Sequence, residues 1–242
     1  MTDFNGRTVL VTGASGAIGG ETVRQLVARG ADVIANGRDT ALLAALAQET
    51  GCRTLAFDIA EDAAVERALA GLTLYGLVNC AGFGGEIATP MDTDMAVFDQ
   101  AIAVNTRASL LMIKYASRGM VRAGKGGAIV NVSSQAALVA LPGHISYAAS
   151  KAALDSITRV AALELGQYNI RVNSVNPTVV LSPISAGHWE QPEVKARFLP
   201  QMPLGRWARA PEVAAPIVFL LSDDASMITG ITLPIDGGFT AC

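Results

Sequence analysis

Short runs of β-branched and aliphatic residues alternate with longer helical patterns along the chain, and no other feature restricts the fold so tightly. "TVLVT" from Thr8 precedes a helical stretch reaching about Arg29, and "DVIAN" from Asp32 precedes the Ala/Leu-rich "TALLAALAQET". "RTLAF" leads into "EDAAVERALAGL", and "YGLVN", "GAIVNVSS", "NIRVNSVNP" and "GITLPID" continue the series. Strands that alternate with helices in this way form a parallel sheet with helices on both faces. The strand runs are almost continuously apolar, as strands covered on both faces are. The expectation is an α/β fold built on a doubly wound parallel sheet of about seven strands, one domain over residues 1–242. The rhythm breaks only around residues 178–203, rich in Pro, Ser and Gly, where a loop could close over a ligand.

Composition narrows the function classes. Of the 242 residues, 51% are hydrophobic and 16% charged, with a formal net charge of −3. Such a chain buries a large core and lacks the basic surface that nucleic-acid binding needs. The densest apolar run, "VAAPIVFLL" from Val213, is too short to span a membrane and holds a proline. Cys52, Cys80 and Cys242 are scattered, with no C-x-x-C spacing, as reduced thiols are. His144 and His188 belong to no metal-ligand cluster. A strand-like run so near the start leaves no room for a signal peptide. These features predict a soluble cytoplasmic protein that binds neither metal, nucleic acid nor membrane.

"VTGASGAIGG", Val11 to Gly20, follows the first strand and opens the first helix, where a dinucleotide fingerprint belongs. Glycines there let backbone N–H groups approach a pyrophosphate at the helix N-terminus, so the sheet is expected to be of Rossmann type. The string parses in two ways, either with Gly13, Gly16 and Gly19 as the working glycines, or with Gly13 and Gly19 alone and Ala17 in a variable position. The second strand ends at "ANGRDT". An acidic residue at this tip would bind the adenosine ribose and select NAD. Here Gly37 removes the carboxylate and Arg38 offers a forked guanidinium to a 2′-phosphate, although Asp39 next door could neutralise it. The pattern favours NADP(H).

"SQAALVALPGHISYAASK" carries the chemistry. Tyr147 and Lys151, spaced i, i+4, share one helix face, and Ser134 ends a strand thirteen positions before Tyr147. With "TGASGAIG", Asp58, "NCAG" from Asn79, Asn105, "VSS" and "NPTVV" from Asn176, these residues make the chain resemble the short-chain dehydrogenase/reductase family over nearly its whole length. The Ser134 to Tyr147 interval then favours the second glycine parse. A free tyrosine, with a pKa of about 10, is a poor base at neutral pH. The Lys151 ammonium and a positive nicotinamide ring would both favour tyrosinate. By the resemblance Tyr147 exchanges a proton with the substrate oxygen, Ser134 holds that oxygen, Lys151 also binds the nicotinamide ribose, and Asn105 anchors a water in a proton relay.

The resemblance extends to the cofactor contacts. Ser15, Gly16, Ala17, Ile18 and Gly19 would follow Gly13 around the pyrophosphate, Arg38 would bind the 2′-phosphate, and Asp58 with Ile59 would meet the adenine. Asp58 could instead cap the following helix. Asn79 would stabilise the central strands beside Ala81 and Gly82. Pro177, Thr178, Val179, Val180 and Ser182 would line the nicotinamide, Val179 through its backbone. The chain departs from the family pattern at Thr178, where glycine is usual, and at Cys80, where asparagine is usual.

Within the family the chain most resembles the dicarbonyl/L-xylulose reductases, also called tetrameric carbonyl reductases, through "GAIVNVSSQ", "ALELG", "IRVNSVNPTVV", "PLGR", "LLSD" and "GGFTAC". That resemblance places Gln135, Leu141, His144 and Trp189 against the substrate beside Ser134 and Tyr147, and implies a homotetramer. His144 could equally be a packed loop residue, and Trp189 a surface lid contact. These NADP-dependent relatives usually carry a basic residue where Gly16 stands. Half of the 2′-phosphate clamp is then missing, which leaves NAD(H) open and, with it, a polyol dehydrogenase. An isomerase or dehydratase of the extended branch, or a silent cofactor-binding protein, are the alternatives from other classes.

Overall fold

The computed structural model describes residues 3–182 and 186–241. The part of the 178–203 region at 183–185, and Cys242 of the "GGFTAC" ending, lie outside the described residues. Seven parallel strands, β1 (Thr8–Val11), β2 (Asp32–Gly37), β3 (Arg53–Ala56), β4 (Gly76–Asn79), β5 (Gly127–Val132), β6 (Ile170–Pro177) and β7 (Thr232–Ile235), form one sheet in the order β3-β2-β1-β4-β5-β6-β7. The first half of the chain winds outward from β1 to β3, and β4 then returns to pair with the other side of β1. Side chains alternate across each strand, so the sheet feeds two cores. Val9, Val11, Val33, Ala35, Val78 and Val130 pack into one, and Leu10, Ile34, Leu77 and Ile129 into the other.

Helices cover both faces. On the first lie α1 (Ala17–Val27), α2 (Thr40–Thr50) and, after them in chain order, a helix at Ala210–Leu221 whose Val213, Ile217 and Leu220 join Val23 and Leu26 of α1. On the second lie α3 (Asp62–Leu69), α4 (Met95–Ala101), α5 (Ala108–Ala123) and α6 (Ile145–Leu165). Met112, Ala116 and Met120 of α5 are buried there against Leu77 and Ile129. Between α4 and α5 the chain winds as a π-helix over Ile102–Arg107. Such wider turns inside α-helices cluster at functional sites.

The region read as an irregular loop contains two short helices, α7 (Ala186–Trp189) and α8 (Pro192–Phe198). Pro192 starts α8, where its missing N–H costs nothing, and Glu193 sits favourably in the first turn. The helix over Ala210–Leu221 is α9. Among the described residues no helix is long and apolar enough to cross a membrane, and no cluster of three or more His, Cys, Asp or Glu could hold a metal ion.

Candidate active site

A sheet wound outward in both directions from β1 and β4 leaves a crevice beyond their carboxyl ends, where ligands of such folds bind. A groove of about 560 Å³ lies there, lined by Gly13, Ser15, Gly16, Arg38, Asp58 and Ile59 on one side and Cys80, Ala81 and Gly82 on the other. A smaller hollow continues it past Ala17, Ile18 and Gly19 to Val180 and Ser182. Gly13 has φ +63, and a Cβ there would stand 2.7 Å from the Ala81 backbone. A Cβ on Gly19 would stand 2.3 Å from the Gly13 carbonyl. Gly16 is the N-cap of α1 with φ −85, a backbone angle any residue adopts, its Cβ position 3.3 Å from the Gly13 carbonyl, and no side chain caps the helix. The backbone therefore requires Gly13 and Gly19 but not Gly16, which fits the second parse. An uncapped helix N-terminus facing a glycine-walled groove fits a dinucleotide's pyrophosphate.

At the ribose end Gly37 closes β2, and a Cβ there would meet the Ser15 hydroxyl at 3.3 Å. The Arg38 side chain is 81% exposed, with Nη1 at 3.9 Å from Asp58 Oδ2. Asp39 is otherwise engaged: its carboxylate accepts from the Ala41 and Leu42 N–H groups as the N-cap of α2. Asp58 accepts from the N–H of Ala60 two residues on, and Glu61, not Asp58, is the N-cap of α3. The acid facing the Arg38 guanidinium is thus Asp58.

The catalytic candidates converge where α6 crosses β5. Lys151 is buried, and its Nζ donates to the Val132 carbonyl at 2.8 Å. The ammonium stands 5.7 Å from the Tyr147 ring centroid. Burial drives the Lys151 pKa down to about 8, opposed by Cys80 and Asp155. Burial likewise pushes the Tyr147 phenol up, while a hydrogen bond with Ser134 pulls it down. Lys151 does not enter that balance, so the cationic stabilisation of tyrosinate expected from it is not seen in the protein alone. Ser134 lies two residues beyond β5 as the N-cap of a 3₁₀ turn, its Oγ accepting from Ala136 N. The Cys80 thiol is driven up to about 12 by burial and stays protonated.

Asn105 sits fully buried in the π-helix and clamps the loop after β4 to α6: its Nδ2 donates to the Phe83 carbonyl at 2.8 Å and to Ser150 Oγ at 2.9 Å, and its Oδ1 accepts from Phe83 N at 2.7 Å. Gly82 connects this cluster to the groove, since a Cβ there would lie 3.3 Å from Asn105 Oδ1 and 3.5 Å from Lys151 Nζ. Asn79 donates to Asn131 Oδ1 at 2.8 Å across β4 and β5. Pro177 ends β6; the Thr178 hydroxyl points at the Met202 sulfur, and the Val179 carbonyl accepts from Ala208 N.

Over the far end lies an aromatic cluster. The Trp189 ring packs against His144 at 6.0 Å, Phe198 at 5.2 Å and Trp207 at 5.8 Å between centroids. Leu141 joins the same cluster. Gln135 is buried beside Ser134, and its Oε1 has no hydrogen-bond partner among the described residues. The structure thus gathers Leu141, His144 and Trp189, with Gln135 on the floor near Ser134. Sequence reasoning missed Thr12, whose hydroxyl accepts from the Cys80 and Ala81 N–H groups and ties β1 to the opposite wall. Its place just before Gly13 was the available signal. It also missed Ser150, Asp155 and Asn176, whose partners are remote in sequence.

A parallel sheet with a glycine-walled groove at its switch point, and a Ser-Tyr-Lys cluster opening onto it, define a dinucleotide-dependent oxidoreductase. A family model described as enoyl-(acyl carrier protein) reductase matches residues 13–240. L-xylulose reductase of Caenorhabditis elegans is 45% identical, over 98% of this chain and 97% of the relative. Carbonyl reductase (NADPH) 2 of Sus scrofa is 37% identical, over 99% and 98%. A solved short-chain type dehydrogenase/reductase from Mycobacterium ulcerans superposes with a TM-score of 0.95 at 33% identity, covering 99% of this chain and 91% of that one. The chain belongs to the short-chain dehydrogenase/reductase family and is an NAD(P)-dependent carbonyl/alcohol oxidoreductase.

Proposed function

We propose that the protein reduces a short ketose or dicarbonyl to its alcohol with NADP(H), an L-xylulose/xylitol-like interconversion. The observation that carries this is the half-buried Tyr147 and buried Lys151 beside Ser134 at the mouth of the dinucleotide groove, next to a Gln135 oxygen that has no partner among the described residues. Relatives named for L-xylulose and for NADPH-dependent carbonyl reduction support the substrate class and the cofactor. A bound nicotinamide would supply or accept the hydride. Gly13, Ser15 and Gly19 would hold its pyrophosphate, Arg38 the 2′-phosphate, and Lys151 the nicotinamide ribose. Ser134 Oγ holds the substrate oxygen, and the Tyr147 hydroxyl gives it a proton in reduction or takes one in oxidation. Gln135 and His144 suit a polyhydroxylated chain, and Trp189 excludes water above it. The same reading puts the enzyme in the cytoplasm as a homotetramer, checked by fractionation and analytical ultracentrifugation.

The test is a panel of pentuloses, polyols and diketones assayed with NADPH and NADH, beside Tyr147→Phe. Wild type should consume NADPH with a ketose or diketone, and Tyr147→Phe should lose about 10²-fold or more in turnover. Near-normal turnover in that variant would falsify the catalytic reading. Substrate conversion without net cofactor consumption would point to an isomerase or dehydratase, and no conversion to a silent binding protein. One observation favours a second reading, an NAD(H)-linked polyol dehydrogenase: Asp58 faces Arg38, and Gly16 offers no second cation. A higher kcat/KM with NADH, in the direction of polyol oxidation, would select it.

A further inference from the structure

The buried carboxylate of Asp155 has no part in the reading above. It is 3% exposed and lies one turn beyond Lys151 on the same buried face of α6. Its Oδ1 accepts from Ser174 Oγ at 2.8 Å, and its Oδ2 accepts from Asn176 Nδ2 at 2.7 Å. Ser174 and Asn176 are alternate residues of β6, so both face α6. The Asn176 amide also donates to the Ser134 carbonyl at 3.0 Å. A hydrogen-bonded chain therefore runs from the carboxylate to the backbone of the residue that would hold the substrate oxygen.

A carboxylate removed from water needs donors, a counter-charge or both. The two donors here are neutral. The titratable groups acting on Lys151 are Cys80 from the loop after β4 and Asp155 from α6, with the Tyr147 ring in contact on the same helix. Cys80 remains a thiol, which leaves Asp155, one helical turn from Lys151, as the acid of that set.

We propose that Asp155 is a positioning residue with two effects: through Asn176 it fixes the backbone of Ser134, and through its charge it holds Lys151 as an ammonium. The proposal rests on the reading of Ser134, Tyr147 and Lys151 as the reacting groups. Its test begins without cofactor, by NMR titration of protein carrying ¹³C-labelled lysine, with the Lys151 signal identified by its loss in Lys151→Met. In Asp155→Asn the Lys151 midpoint should fall by about half a unit or more from its wild-type value, because a removed negative charge makes the ammonium lose its proton more readily. Asn176→Ala keeps the carboxylate and should leave the midpoint in place. Turnover in the reductive direction should fall about tenfold or more in both variants, as displaced reacting groups cost. An unmoved midpoint in Asp155→Asn overturns the proposal. Wild-type turnover in Asn176→Ala overturns it as well, whether or not Asp155→Asn folds. Tyr147→Phe at wild-type turnover would instead sink the catalytic reading beneath it.

Discussion

Lys151 is placed where the fold alone would not choose to put a charge. Its pKa of about 8 lies below the lysine value of 10.5, and the first cause is burial. Between those two values the unfolded chain keeps a proton that the folded chain has released. Lys151 therefore adds stability as pH rises through that window, and the contribution is lost as pH falls through the folded pKa. Lys151→Met has no such term. The unfolding free energy of the cofactor-free wild type, relative to Lys151→Met, should grow between pH 7.5 and pH 9.5. Denaturant melts at the two pH values measure it, and a pH-independent difference would contradict the assignment. Gly13 and Gly19 show the same priority of site over comfort: the turn brings Gly19 so near the Gly13 carbonyl, and Gly13 so near Ala81, that neither place admits a methyl group.

At the scale of elements, the segment over the substrate end is held by ring contacts more than by regular structure. Helices α7 and α8 are short; Trp189 of α7 packs on His144, Trp207 and Phe198 of α8, and Phe198 packs in turn on Trp207 and Phe239. Trp189→Ala should loosen this cluster and raise KM for the carbonyl substrate about tenfold, with kcat within a few-fold of wild type, because the proposed proton donor, Tyr147, lies on α6. Steady-state kinetics decide it: an unchanged KM would remove Trp189 from the substrate site. The sheet was legible in the sequence because its strands are unbroken aliphatic runs, and Tyr147 and Lys151 were legible because i, i+4 on a helix is local information. Helices α7 and α8 were hidden by their Pro-, Ser- and Gly-rich surroundings. The π-helix that carries Asn105 has no pattern of its own, since its wider turn depends on partners at Phe83 and Ser150. The contact of Asp155 with Asn176 joins two elements whose pairing only the folded sheet supplies.

At the scale of the whole molecule, the cofactor would span the turns and loops that gather at the carboxyl ends of adjacent strands. The groove's walls come from the turns after β1 and β2 and the loop after β4, and Val180 and Ser182 close its end. A ligand that binds only the assembled groove stabilises the fold by mass action, about 2.7 kcal/mol at a hundred times its Kd. For a chain of this size that corresponds to a rise in Tm of roughly 5–10 °C. NADPH should produce this shift, and NADH a smaller one at equal concentration. Arg38→Ala sharpens the comparison, because its guanidinium is exposed and faces Asp58 at 3.9 Å, outside both cores. Removing it should leave the ligand-free Tm within a degree or two of wild type. The NADPH shift should then shrink to the size of the NADH shift, which itself stays as it was. Equal losses with both cofactors would mean that Arg38 does not read the 2′-phosphate, and an NADH shift larger than that of NADPH in the wild type would move the enzyme to the NAD-linked reading.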